Sequence, residues 1–291
     1  MGYWDSLIVL GGINAILAWS LGLVVRSGQL SVGHAALAGA GGYAAGLAAR
    51  AGLPPIVALL VAALVAGLIG VLLALVTLRL NHLFLALATL LFGEILVAVA
   101  TGTDALGGAA GLAGLPLLEL LPLVGGAVLV VVLVEVLVLR GSRVELNMLL
   151  LSGEPQLVDM TGRSADRLRI QVFAASAAVA GFAGALLAFQ AGVVQPGDLG
   201  FDHSLNLLVY VIVGGSTNGI GALVGGFVLT VLPRVVELDN VQQALLLGGV
   251  LVVVMLVRRD GAIPRRPTRV LRATTAPAPS DDRPTLTGSG R

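Results

Sequence analysis

The chain is divided into long apolar stretches, and these restrict its fold more than any other feature. They run over residues 7–25, 31–49, 55–78, 83–100, 121–139, 170–194, 205–215, 220–236 and 244–257. A helix needs about 20 apolar residues to cross the hydrocarbon of a bilayer. Hydrophobic residues make up 57% of the chain and charged residues 11%, against about 25% charged in a soluble domain. The expected fold is therefore all-α, a polytopic membrane bundle of about 8–10 transmembrane segments. The 40 glycines and 4% aromatics suit helices packed closely through small faces.

Two stretches stand apart. Stretch 205–215 is short and runs into Gly214-Gly215-Ser216-Thr217-Asn218-Gly219, which suits a broken or re-entrant helix. Stretch 31–49 is glycine-rich and suits burial inside the bundle. The N-terminus, MGYWDSLIVL, has no positive region before its apolar run, so it reads as a first span and not a cleaved signal peptide. Tyr3 and Trp4 fit the interfacial belt.

Between the fifth and sixth stretches lies a polar interval, 140–169. It carries Arg140, Arg143, Arg163, Arg167 and Arg169 beside Glu145, Glu154, Asp159 and Asp166. Charges and unpaired backbone groups are costly in hydrocarbon, so the interval reads as a loop in water. Its arginines assign it to the cytoplasm. Alternation then puts Arg26, Arg79 and the Arg258-Arg259 pair on the same side, with Arg50, Arg234 and Asp104 opposite. The membrane domain covers 1–258. Residues 259–291, rich in Pro, Ser, Thr and Arg, read as a disordered cytoplasmic tail.

All 17 basic side chains are arginine. Without lysine the chain has no P-loop for ATP, and without cysteine it has no disulfide or thiolate metal site. His34, His82 and His203 have no ligand-type partner one helical turn away, and no hydrolase or metalloprotease motif occurs. The expectation is a non-enzyme with no metal or cofactor of its own and no nucleic-acid partner, surrounded by membrane lipid.

Polar residues inside apolar stretches are the functional candidates, because each is expensive there. Glu94, in LATLLFGEILVAV, must face the bundle interior, pair, or be protonated; it either lines a pathway or hydrogen-bonds a neighbouring helix. Gln29, Ser31 and His34 enter the glycine-rich stretch at its cytoplasmic end. Glu135 lies near the end of its stretch, within reach of Arg140 or the interface. On the opposite side Gln190, Gln195, Asp198, Asp202, His203 and Asn206 surround Pro196-Gly197. With Asp104 they form either a vestibule for a small polar solute or an ordinary solvated loop.

Within the interval, Pro155 suits the first turn of a short helix, and Glu154 favours the positive end of its dipole. Gln156, Leu157 and Met160 fall on one face, and Gly162 ends the helix in the left-handed region. The expectation is a short helix that inserts Leu157 and Met160 into a partner.

The order of these pieces resembles the permease subunits of branched-chain amino-acid ABC transporters, in particular the M-type partner of their H/M pair. GQLSVGHAALAGAGGY (28–43) is similar to the family's GQLSLGHAAFFGIGAY, and LFLALATLLFGEI (83–95) to YFALATLAFGEI, with Glu94 on its acidic position. RIQVFAASAAVAGFAGAL (169–186) and LLVYVIVGGSTNGIGALVGGFVL (207–229) resemble two further family elements. The central motif E-x-A-A-x-x-x-G appears here as GEPQLVDMTGRS, with Leu157 and Val158 in place of the small pair and Gly162 as the closing glycine.

The resemblance implies half of a translocation pore. Its partners would be a second, H-type permease, two cytoplasmic ATPase subunits that bind the ATP, and an extracytoplasmic solute-binding protein. It further implies a pathway past Gln29, Ser31, His34, Glu94 and Asp104. Coupling to the ATPase would run through Glu154, Gln156, Leu157, Asp159, Met160 and Gly162. The alternatives are a urea or amide permease of the same family, or an ion-coupled secondary transporter using Glu94.

Overall fold

A computed structural model describes residues 2–77, 80, 82–215 and 218–257. Arg79, Ser216, Thr217, the Arg258-Arg259 pair and the tail 259–291 lie outside the described residues. Each of the nine apolar stretches forms a helix. They are α1 (Tyr3–Arg26), α2 (His34–Arg50), α3 (Pro55–Thr77), α4 (His82–Gly102) and α5 (Leu121–Leu133, continued by a π-helical turn Val134–Leu139). Two helices follow in the polar interval, α6 (Arg143–Gly153) and α7 (Pro155–Met160). The remainder are α8 (Ala165–Ala191), α9 (Phe201–Gly214), α10 (Gly219–Val235) and α11 (Asn240–Val257). Among the described residues five helices are long and apolar enough to cross a membrane, and three shorter apolar ones accompany them.

α1 is enclosed by α10, α8, α5 and α9, and a second group stacks α2, α3 and α8. The second group packs through glycine. A Cβ on Gly41 would strike the backbone of Gly181, and one on Gly184 the carbonyl of Ala38. Here backbones touch, which small residues permit and larger ones forbid. α3 and α4 turn Leu60, Leu64, Leu68, Leu87 and Leu91 outward, as helices facing lipid do.

Hydrogen bonds define the two ends of the bundle. At one, Tyr3 Oη donates to the Arg234 carbonyl (3.1 Å) and Gln190 Nε2 to the Ser6 carbonyl (2.9 Å). A two-residue antiparallel pair lies there, β1 (Leu112–Ala113) with β2 (Val193–Val194), and Arg50 Nη2 donates to the Ala113 carbonyl (2.7 Å). The other end carries the polar interval, with Gln29 Nε2 donating to the Arg169 carbonyl (3.4 Å).

Two expectations need correction. The interval 140–169 is mostly helical, and α8 begins within it at Ala165. The signal for α6 is present in the sequence: Ser142 Oγ accepts from the N–H groups of Val144 (3.1 Å) and Glu145 (3.3 Å), and the Glu145 carboxylate accepts from Gly141 N–H (2.6 Å). This is close to the reciprocal S-x-x-E cap. Asn147, Met148 and Leu151 give α6 a buried face.

Arg26, assigned to the cytoplasmic side by alternation, is buried, 9% exposed. The second correction is the onset of the glycine-rich stretch. Its helix starts only at His34, and the irregular backbone before it is satisfied inside the bundle, where Val32 N–H donates to Thr89 Oγ1 (3.0 Å). Such backbone is tolerated at membrane depth only where protein covers it.

α9 is a short continuous helix of 14 residues that ends before Gly215. After β2 a 3₁₀ turn, Pro196–Leu199, brings the chain back inward, and Ser204 Oγ accepts from Ala35 N–H (3.2 Å) beside the start of α2.

Candidate functional site

The polar interval presents a formed surface. α7 begins with Pro155 and is followed by Gly162 at φ +80°, the left-handed conformation expected for it. Val158 anchors the helix at 0% exposure, while Leu157 and Met160 stand 42% and 81% exposed. Glu154 and Gln156 are exposed beside them. Asp159 does more than was expected, because its Oδ1 accepts from Ala165 N–H (3.0 Å) and ties α7 to the first turn of α8. Two exposed apolar side chains thus stand on a short helix anchored by Val158 and tied to α8.

Under this surface sits a charge cluster that the sequence reading missed. Arg26 Nη1 and Nη2 donate to Glu135 Oε1 (2.8 Å) and Oε2 (3.0 Å), a two-pronged pair. Trp19 Nε1 donates to Glu135 Oε2 (2.9 Å). Glu135 is 4% exposed, and its partner is Arg26 in place of the expected Arg140 or the interface. Its carboxylate lies against Gly219, where any Cβ would collide with it. Gly219 opens α10, so the carboxylate also meets the positive end of that helix. Glu135 lies in the first part of the π turn, and its carbonyl accepts from Arg140 N–H (2.9 Å). The cluster joins α1, α5 and α10.

The expected pathway residues separate. Gln29, Ser31 and His34 are buried. Gln29 Nε2 donates to Ser27 Oγ (3.0 Å), and His34 Nε2 shares a hydrogen bond with Ser20 Oγ (2.9 Å). Ser31 Oγ and His34 Nδ1 have no partner among the described residues. Of the three situations open to Glu94, facing the interior of its own chain is not the one found. The neighbouring Gly93 packs on Gly33 and Ala36, while Glu94 lies exposed in the middle of α4 beside Leu91 and Ile95. Asp104 is exposed in a 3₁₀ turn beyond the far end of α4.

The group around Pro196-Gly197 also divides. Asp202 and Gln195 are exposed and Asn206 is half-buried, whereas Asp198 and His203 line a cavity with Asn14 and Arg234. Asn14 and Arg234 were not singled out from the sequence, and an asparagine inside the first apolar stretch was a readable signal.

The chain is a bundle of apolar helices, several packed through small residues, with a short exposed helix, α7, in its polar interval. The chain belongs to the family described as branched-chain amino acid transport system / permease component, whose pattern matches residues 3–257. It is thus a permease component of the cell membrane and not an enzyme. Among curated proteins it is similar to the high-affinity branched-chain amino acid transport system permease protein LivM of Salmonella typhimurium, 34% identical over 116 residues. That match covers 40% of this chain and 27% of the relative. LivM of Escherichia coli is 34% identical over 103 residues, 35% of this chain and 24% of that protein. The matched segments thus span about a quarter of these relatives' lengths. No solved structure matches the chain.

Proposed function

We propose that this chain is the M-type permease subunit of an ABC importer, forming half of a pathway for branched-chain amino acids or a similar small polar solute. It pairs with a second, H-type permease. Two cytoplasmic ATPase subunits bind the ATP and drive it, and an extracytoplasmic binding protein delivers the solute. The observation that carries this reading is Glu94. An ionised residue at the centre of a spanning helix costs about 2.5–3.5 kcal/mol by insertion scales. Among the described residues Glu94 has no hydrogen-bond or ion-pair partner. Facing lipid it would be wasteful; facing a second permease across a hydrated path, it has water and a partner. α7 supplies the complementary argument, an exposed knob at the end where ATPases would dock.

The test is to purify the tagged chain in mild detergent, identify what accompanies it, and measure solute uptake after reconstitution. A related permease and an ATPase are expected, with uptake that requires ATP and not an ion gradient. Glu94→Gln should assemble normally and take up solute at least several-fold more slowly. Normal uptake by this variant would reduce Glu94 to a packing group, and a single chain competent for transport would sink the half-pore reading.

A further inference from the structure

The cavity between α1, α2, α8 and α10, closed by the 196–199 turn and the start of α9, has a volume of about 290 Å³. It lies toward the end of the bundle opposite the polar interval. Its wall contains one carboxylate and one guanidinium, Asp198 and Arg234, with the amide of Asn14 and the imidazole of His203 between helices. Asn14 is 6% exposed, and among the described residues neither its Oδ1 nor His203 Nε2 has a hydrogen-bond partner. Buried polar atoms left in this state point to something that completes them.

The two charges are also incompletely used. Asp198 spends Oδ2 on Gln195 N–H (3.0 Å), and Arg234 spends Nη1 on the Thr230 carbonyl (2.9 Å). Neither forms an ion pair among the described residues. The rest of the wall is aliphatic, with Leu10, Leu187 and Val193 among its members.

Asp198 is half-buried and Arg234 exposed. A guest that is only an anion would pair Arg234 and leave Asp198 facing it without a partner, and a cation would do the reverse. A zwitterion satisfies both, with its carboxylate on Arg234 and its ammonium on Asp198 and the Asn14 carbonyl oxygen. The volume is at the lower edge of ligand pockets, which start near roughly 300 Å³, so a single small molecule fits and a peptide does not.

We propose that this cavity is a binding site, inside this one subunit, for a small zwitterionic α-amino acid with an aliphatic side chain. The proposal deepens the permease reading and rests on it for the choice of solute. It adds a holding station apart from the Glu94 face.

The experiment measures equilibrium binding of radiolabelled L-leucine to the full-length chain, purified with its partners in lipid nanodiscs. Two competitors accompany it: leucinamide, which lacks the carboxylate, and 4-methylpentanoate, which lacks the ammonium. Saturable leucine binding is expected, with each competitor about ten-fold weaker or more, as loss of a charged hydrogen bond implies. Asp198→Asn should weaken leucine about ten-fold yet leave 4-methylpentanoate unchanged, and Arg234→Gln should weaken leucine while sparing leucinamide. Asn14→Leu, close in size but without the amide, should weaken leucine several-fold.

No saturable binding, or equal binding of all three compounds, overturns the proposal without recourse to any variant. Leucine binding that is unchanged in all three variants locates the site elsewhere and overturns it too. ATP-driven uptake without leucine bound here sinks this site and leaves the permease reading intact. Leucine bound here by a chain that recruits no ATPase does the opposite.

Discussion

At the residue scale the strongest interaction is the buried cluster of Arg26, Glu135 and Trp19. Two charges have been taken out of water, and the two-pronged geometry, the indole N–H, the start of α10 and the Gly22 carbonyl that accepts from Arg26 Nε compensate them. Breaking such a pair from one side leaves an uncompensated buried charge, at about 3–5 kcal/mol, whereas replacing both partners with apolar groups of similar volume is often neutral. Glu135→Ala should therefore lower thermal stability in detergent sharply, by that amount. The double variant Arg26→Met with Glu135→Met should recover most of it. Equal losses in the single and double variants would show that the pair contributes through packing and not charge.

At the element scale α7 is small enough to be read as a unit. Six residues, Pro155–Met160, are held by Val158 beneath and by Asp159 against α8. Gly162 has open space where a Cβ would project, so a side chain there meets no neighbour. The obstacle is its φ of +80°, which a β-branched residue resists. Gly162→Val should strain the turn after the helix, and Leu157→Asp should place a charge in the proposed docking contact. Both are expected to uncouple solute-stimulated ATP hydrolysis in the reconstituted complex, with the membrane part still folded. Wild-type stimulation in Leu157→Asp, with the ATPase still bound, would mean that docking occurs elsewhere.

At the scale of the whole molecule the question is which end faces the cytoplasm. Asp104 and Met160 are both exposed and belong to opposite ends of the bundle. The chain has no cysteine, so an introduced thiol reports without background. Asp104→Cys should react with a membrane-impermeant maleimide in intact cells, and Met160→Cys only after permeabilisation. The reverse pattern would invert the orientation derived from the arginines and move the proposed ATPase contact to the wrong side of the membrane.

What the sequence determined alone is what short-range chemistry can specify. Apolar length set the helices, and Pro155, Glu154 and Gly162 set a short helix and its end, because caps and turns involve neighbours in the chain. The same kind of signal, Ser142 with Glu145, was available for α6 and was passed over. The tertiary structure decided which side chains meet. Arg26 and Glu135 are 109 residues apart, and Asn14, the Asp198 and His203 pair, and Arg234 come from three separate parts of the chain. It also decided the face on which Glu94 lies. In a soluble helix the contrast between apolar core and polar solvent marks the buried side. In a bilayer both the lipid side and the packed side of α4 are apolar, so periodicity is silent there, and only packing against the 33–36 segment orients the helix.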